Sequence, residues 1–342
     1  MSTNFEITPV KYQQTIGIVN NGLNGRGFAN PYDLGISQKG DIFVLNRCDV
    51  ARREAIRIGV CNRNEDYLYE FGYGFGNSNG QLALPVSMVL GANDDVFVSD
   101  EHNHRITIFN KEGIYLNHWG EQGSGPAQFN SPSGIALDKE NAIYVSDQKN
   151  HRIQKYTREG TFIDQWGEPG SNDGQFNLPW GLTIDQHRNV LVADWRNDRV
   201  QIFDSCGSHL RTIGTTGSDE QKLKRPSGVA VNSEGTIYVA DWGNERVQAF
   251  DPEGTHLFTL MGEATLSKWA IDFFSSNPDE MATRKTADLI SELPSHLNSP
   301  YHRSSQTEPY FWGPVSVRTD NQDRLYVVES NRHRIQIYEP VS

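Results

Sequence analysis

The stretch VADWRNDRVQIF, residues 192–203, sets an acid, an indole, two guanidinium groups and a second acid within positions 194–199. Groups of these types can move protons, grip an anion and wall off an aromatic pocket. Similar candidates are spread along the chain. Asp33, Glu101, His102 and Lys149 could shuttle protons, and Arg47, Arg196, His302 and Arg303 could hold an anionic substrate. Tyr32, Trp180, Trp195 and Trp242 could form its walls. Whether these groups meet depends on the elements that carry them.

Those elements repeat. The runs 84–120, 131–167, 178–214 and 225–262 align with one another, and their opening prolines, Pro85, Pro132, Pro179 and Pro226, are each 47 residues apart. Two irregular copies open at Pro31 and Pro314, which makes six. Each copy reads as four short strands: an apolar strand such as GIALD, a β-branched run such as AIYVSD, an alternating run such as HRIQKY, and a last strand such as TFIDQWG. Alternation bounded by turn residues favours strands over helices. A period of about 40–50 residues with four strands per unit is that of a propeller blade. The expected fold is an all-β, six-bladed propeller in one domain, with blades at 28–72, 81–120, 128–167, 175–214, 221–262 and 311–338. The sixth copy stops after three strands, and KYQQTIG (11–17) has the form of the missing fourth, so the N-terminal segment is expected to close the ring.

Four copies carry DEHNHRI (100–106), DQKNHRI (147–153), DWRNDRV (194–200) and DWGNERV (241–247). This signature resembles that of the NHL-repeat family, over nearly the whole chain apart from one insertion. The resemblance implies a propeller, and it leaves function open because such propellers include enzymes, scaffolds and RNA binders. The repeat also sorts the opening cluster. Asp194, Asn197 and Arg199 recur in three other blades and are expected to pair across the strand connection as part of the fold. Trp195 and Arg196 differ from blade to blade. They sit on the loop between the second and third strands, which shares a face with the start of the first strand, the usual ligand mouth of a propeller. The residue after each opening proline (Tyr32, Val86, Ser133, Trp180, Ser227, Val315) forms a second variable ring, and one step further Asp33 is the acid among Gly and Ser. These side chains either touch a ligand or fill the channel.

Two insertions leave the mouth face. Blade one lengthens its loop at 48–55, and 263–310 separates blades five and six. In the latter, Asn277 suits an N-cap, Pro278 the first helical position, and Asp279 and Glu280 the positive end of the dipole, so a short amphipathic helix with Met281, Leu289, Ile290 and Leu293 as its stripe is expected. The two insertions are expected to meet above one side of the channel as a lid, with docking of the helix on the blade rim as the alternative.

Specific chemistries narrow the field. Propellers resembling peptidylglycine amidating lyases hold zinc through a histidine after the blade-opening proline, and no such histidine stands here. A gluconolactonase-like divalent metal could be assembled from Asp33, Asn46 and Glu329, but metal-free acid–base chemistry needs fewer assumptions, so no cofactor is expected. The expected function is a small-molecule enzyme of lyase, isomerase or hydrolase type at the lidded mouth. The competing class is a binding module that presents the same face to a protein. RNA would require a basic patch with exposed aromatics, and the formal net charge of −12 argues against it without excluding a local patch. The N-terminal MSTNFEITPVKYQQ carries no secretory pattern, no segment reaches membrane-span length, and Cys48, Cys61 and Cys206 lack metal-site spacing. A cytoplasmic protein with reduced thiols is the expectation.

Overall fold

A computed structural model of the chain describes residues 9–20, 22, 24–48, 52–290 and 292–341. Six four-stranded antiparallel sheets are arranged in a ring. Their first strands are Pro31–Ile36, Pro85–Leu90, Pro132–Leu137, Pro179–Ile184, Gly228–Val231 and Pro314–Thr319, and these define blades 1 to 6. In blade 6 the outer strand is Val10–Ile16, hydrogen-bonded to Arg334–Pro340. Joining the chain's start to its last blade replaces two open sheet edges with one ladder.

Burial explains the strand sequences. Second strands such as Ile143–Asp147 and Val190–Asp194 are buried along their whole length, because a neighbouring blade covers each face. They are therefore apolar and β-branched throughout, as strands covered on both faces are. Fourth strands such as Phe162–Trp166 are half exposed. One apolar cluster fills each of the six seams between blades. The last aromatic of one blade lies over the third hairpin of the next. A Cβ on Gly160 would stand 2.4 Å from Trp119 Cγ, and that glycine also has φ of +86°, so the position requires glycine twice over.

Blade 1 breaks that rule at the closure seam. Glu65, with φ of 61°, takes the hairpin position held by Gly113, Gly160, Gly207 and Gly254 elsewhere. The insertion begins there. Helix α1 (Lys268–Ser276) is capped by Ser267, whose hydroxyl accepts from Ala270 N–H and donates to Gly17 O at 2.6 Å. Glu65 accepts the Lys268 N–H at 2.8 Å, and Trp269 Nε1–H donates to Glu65 O. Trp269 is 1% exposed and meets Phe28 edge-on at 5.4 Å, inside the cluster shared by blades 6 and 1. The expected helix follows as α2 (Pro278–Thr286), but it ends before three of the four residues of the expected stripe. Ala287 is extended, Leu289 O accepts the Glu308 N–H, and Ile290 bridges Thr307. The apolar anchor of the insertion is Trp269, a helix earlier than expected.

Candidate functional site

The mouth is built by a contact repeated in all six blades. The loop after each second strand donates one N–H to the carbonyl one or two residues before the opening proline of its own blade: Arg47 to Asn30, Glu101 to Leu84, Lys149 to Asn130, Arg196 to Asn177, Gly243 to Lys224 and Ser330 to Gly313. In blades 3 to 6 the repeated acid and arginine complete it; in blade 2 the Arg105 Nε–H turns instead to Thr107 Oγ1. Asp194 accepts from Asn177 N–H and from Asn197 and Arg199, whose guanidinium also reaches the carbonyls of Asn172 and Gln175. Asp147–Arg152, Asp241–Arg246 and Glu329–Arg334 repeat the pair at 2.7–2.8 Å. Burial raises the carboxyl pKa of Asp147, Asp194 and Asp241 against the pull of these partners. These groups are scaffold, and Trp195 and Arg196 stand out above them.

The channel below the mouth is filled. Asp33, 1% exposed, receives three donors on each oxygen: Leu34 N–H, Ser316 Oγ and Arg318 on one, Ser87 Oγ, Met88 N–H and Arg318 on the other. This ion pair ties blades 6, 1 and 2 together. A carboxylate with both oxygens so occupied has no lone pair left for a substrate proton, and the proton-shuttling expectation for Asp33 is corrected to that of a buried tie. The space left among Tyr32, Val86, Trp180, Ser227 and Val315 is about 20 Å³, close to the room for one water. None of the described residues of 263–310 lines it. The metal set does not assemble either: Asn46 accepts Ala29 N–H, Glu329 holds Arg334, and Asp33 holds Arg318.

The remaining candidates form two aromatic–arginine clusters on the rim of the mouth. On blades 1 and 2, Arg47 lies 4.7 Å over the Tyr32 ring and pairs with Glu101 at 2.9 Å. On blades 4 and 5, Trp180 and Trp195 lie 5.8 Å apart, and Arg196 and Arg225 both approach the Trp195 ring, at 4.9 and 5.2 Å. Lys149, Arg196, Lys224 and Arg225 are exposed. The carboxylates between them are Glu101, held by Arg47, and Asp198, which accepts Arg225 N–H at 2.7 Å. A cationic, aromatic mouth thus sits on a chain of net charge −12. His102 is exposed, with its ring 6.0 Å from Phe75. Asp33 lines the channel space, and Glu101, His102 and Lys149 are not among the residues that line it.

The insertion borders the mouth without roofing it. Helix α3 (Pro300–Gln306) rests on the turn Trp242–Asn244 of blade 5, and Arg332 of blade 6 donates to the carbonyls of Ser304 and Ser305. His302 and Arg303 are exposed on it; the His302 ring bonds the Ser299 hydroxyl that caps the helix. Of the blade-one loop, residues 49–51 lie outside the described residues, and Arg53 stacks 4.8 Å over Phe75, on the blade 2 side. The expected meeting of two insertions as a lid is therefore corrected to separate dockings, α1 at the blade 6–1 seam and α3 at the margin of blades 5 and 6. Sequence reasoning missed Arg225 and Arg318. Both were visible as breaks in the repeat: Arg318 stands where the other first strands have Gly35, Val89, Ala136, Thr183 and Ala230.

In blades 2 to 6 the αL residue of the mouth loop staples its blade to the next. His333 Nδ1 accepts Asn30 N–H at 2.9 Å, and His104 Nδ1 accepts Ser131 N–H at 3.1 Å. Burial holds both imidazoles below their ordinary pKa, and His104 also feels His102 and Lys149. The folded chain thus resists protons that the unfolded chain takes up near pH 6.5. The stability from these staples is complete above that pH and is lost as pH falls toward the depressed folded values. Glu245, the equivalent residue of blade 5, accepts Gly313 N–H at 2.6 Å, and burial followed by the Glu329 charge pushes it up to about 7. Its sign is opposite, since its stabilising proton is lost as pH rises from its unfolded value through about 7. The histidine effect is therefore read as a difference. In urea unfolding, the stability gap between wild type and His333→Gln should narrow between pH 7.5 and 5.5 (about one unit either side of the free imidazole value). A gap equal at both pH values would contradict it.

Comparison with known proteins agrees with this architecture. A family described as a 6-bladed beta-propeller matches residues 81–169, and the NHL repeat matches 176–203, 223–250 and 311–338. Protein brain tumor of Drosophila melanogaster is 35% identical over 71 residues, 20% of this chain and 7% of that protein. Among solved structures, a streptogramin B lyase is similar at TM-score 0.58 and 11% identity, covering 96% of this chain and 97% of its own. A protein of unknown function from Bacteroides thetaiotaomicron has TM-score 0.63 at 14% identity, over 96% of this chain and 75% of its own. At such identities the likeness to solved structures is one of fold alone.

Proposed function

We propose that this chain, built of NHL repeats and closed as a six-bladed β-propeller, is a non-catalytic recognition module whose mouth binds single-stranded nucleic acid. The observation that carries this reading is the segregation of charge. Arg47, Lys149, Arg196, Lys224 and Arg225 ring a mouth whose nearby acids, Glu101 and Asp198, already have partners. Cations interleaved with Trp180, Trp195 and Tyr32 suit a ligand with phosphates along its length and flat bases to stack. The filled channel supports surface binding over an enclosed reaction, because a buried small-molecule site needs roughly 300 Å³ or more. The lyase-like reading has the fold in its favour, but its proton-shuttling residues lie on three blades, and Asp33 among them is tied to Arg318.

Fluorescence anisotropy with a labelled single strand of about 12 nucleotides tests it. Binding should weaken with salt, and the paired change Arg196→Glu and Arg225→Glu should flatten the salt slope by roughly 0.7 per lost phosphate contact. Trp180→Ala should cost about 1–3 kcal/mol of binding if a base stacks there. An oligonucleotide that fails to bind at low salt, while an acidic peptide binds through the same arginines, would point to a protein partner.

A further inference from the structure

In five blades the arginine that opens the third strand meets a carboxylate. Arg152, Arg199, Arg246 and Arg334 pair with the acid that ends their own second strand, at 2.7–2.9 Å. In blade 1, Arg57 pairs at 3.0 Å with Glu70, on the fourth strand. Arg105 of blade 2 is the exception. It is buried, and it makes no ion pair with any of the described residues. Four of its five N–H groups go to Thr107 Oγ1 and to the carbonyls of Asn77, Ser78 and Gln81. The fifth, on Nη1, has no acceptor among the described residues. In blade 3 the same N–H goes to Gln165 Oε1 at 2.8 Å, and His118 stands in that place in blade 2.

Two breaks in the repeat make the exception. Thr107 replaces Gln154, Gln201, Gln248 and Gln336, whose amides reach the acid of their own blade. Opposite it, His118 replaces Gln165, Thr212, Thr259 and Thr15. Arg105 and His118 line an open cleft of about 600 Å³ together with His102 and His104. His104 Nδ1 accepts the Ser131 N–H, so its proton is on Nε2. The Tyr115 hydroxyl bonds His118 Nδ1 at 2.7 Å and, as the donor, leaves the Nε2–H for a ligand. Burial, followed by the Arg105 charge, holds the His118 imidazole below its ordinary pKa, as expected beside an unpaired guanidinium. The carboxylate in the lining is Glu121, which is exposed and accepts from Gln128 Nε2 at 2.9 Å.

We infer that this cleft of blade 2 binds a phosphate-type oxyanion, which accepts the fifth Arg105 N–H together with the His118 Nε2–H and supplies the negative charge that a carboxylate supplies in the other five blades. A buried guanidinium without a counter-charge is costly, and charge-assisted hydrogen bonds to an oxyanion offset that cost. With the His104 Nε2–H in the same lining, an anion whose oxygens point to several sides suits the donors better than a flat carboxylate.

Calorimetric titration of the whole chain with inorganic phosphate, beside thermal unfolding in phosphate and in chloride of equal ionic strength, decides the matter. Saturable one-site binding is expected, with a thermal midpoint that rises with phosphate and with acetate weaker by about tenfold or more. His118→Glu brings in the carboxylate that blade 1 has at this position. It should abolish phosphate binding and raise the midpoint measured without phosphate. If that variant does not fold, His118→Gln, the residue of blade 3, should weaken phosphate by about tenfold or more. Absence of saturable binding to the wild type would overturn the assignment, as would equal binding of acetate or an unchanged phosphate affinity in the His118 variants. The paired change Arg196→Glu and Arg225→Glu should leave phosphate binding as in the wild type, so the outcome is independent of nucleic-acid binding at the mouth. Phosphate binding lost with that pair would move the anion to the mouth and overturn the cleft. Strand binding unchanged by His118→Glu identifies a free oxyanion as the ligand, and strand binding weakened by it identifies a phosphate of the bound strand.

Discussion

Asp33→Ala is expected to lower the unfolding free energy by about 3–5 kcal/mol, the range for breaking a buried ion pair from one side. The substitution leaves the Arg318 guanidinium, 18% exposed at its side chain, with Ser87 Oγ and Met88 O as its remaining acceptors. Ser87, Ser316 and the Met88 N–H lose their acceptor in the same step. The double change Asp33→Ala with Arg318→Met should recover much of the loss, because removing both charges removes the uncompensated one. Urea unfolding of the two single variants and the double variant measures the cycle. A carboxylate held free for chemistry would behave differently: its loss would change stability by roughly 0.5 kcal/mol or less. A small effect of Asp33→Ala would restore the acid–base reading of the mouth.

Trp269→Ala should destabilise by a similar amount, about 3–5 kcal/mol for deletion of a large buried ring. The ring fills the seam between the strand Val10–Ile16 and blade 1, and its indole N–H holds the Glu65 carbonyl. Loss of the ring opens a cavity where the ends of the propeller are joined, at the one hairpin that lacks the usual glycine. Trp269→Phe keeps most of the volume and should cost less than the alanine change. If instead Trp269→Ala unfolds in two steps, with blade 6 released first, hydrogen exchange at Ile335–Ile337 will report it before exchange in blade 3. An alanine variant as stable as wild type would mean that α1 docks without bracing the ring.

Much of this was legible because a repeat supplies its own control. Asp194, Asn197 and Arg199 recur with Asp147, Asn150 and Arg152, and the structure gives them the same partners at the same places. The missing fourth strand of blade 6 was legible for the same reason. The breaks in the repeat were harder to interpret. Asp33 and Arg318 are each the odd charge at their position, 285 residues apart, and nothing in their spacing says that ring closure sets them side by side. Glu65 in place of a glycine and Trp269 at the head of an insertion are 204 residues apart and belong to one contact.

The sequence by itself therefore determined the architecture: periodic proline, β-branched and glycine positions are local rules, and each blade obeys them independently. Tertiary structure decided the site. It paired Asp33 with Arg318 and so filled the channel, it gathered Arg196 and Arg225 around Trp195, and it carried the insertion to the rim. The physical reason is that an isolated charge on a strand has no fixed meaning. Its partner depends on which blades the closed ring makes neighbours, and Coulomb and hydrogen-bond terms act over a few ångströms of space whatever the distance along the chain.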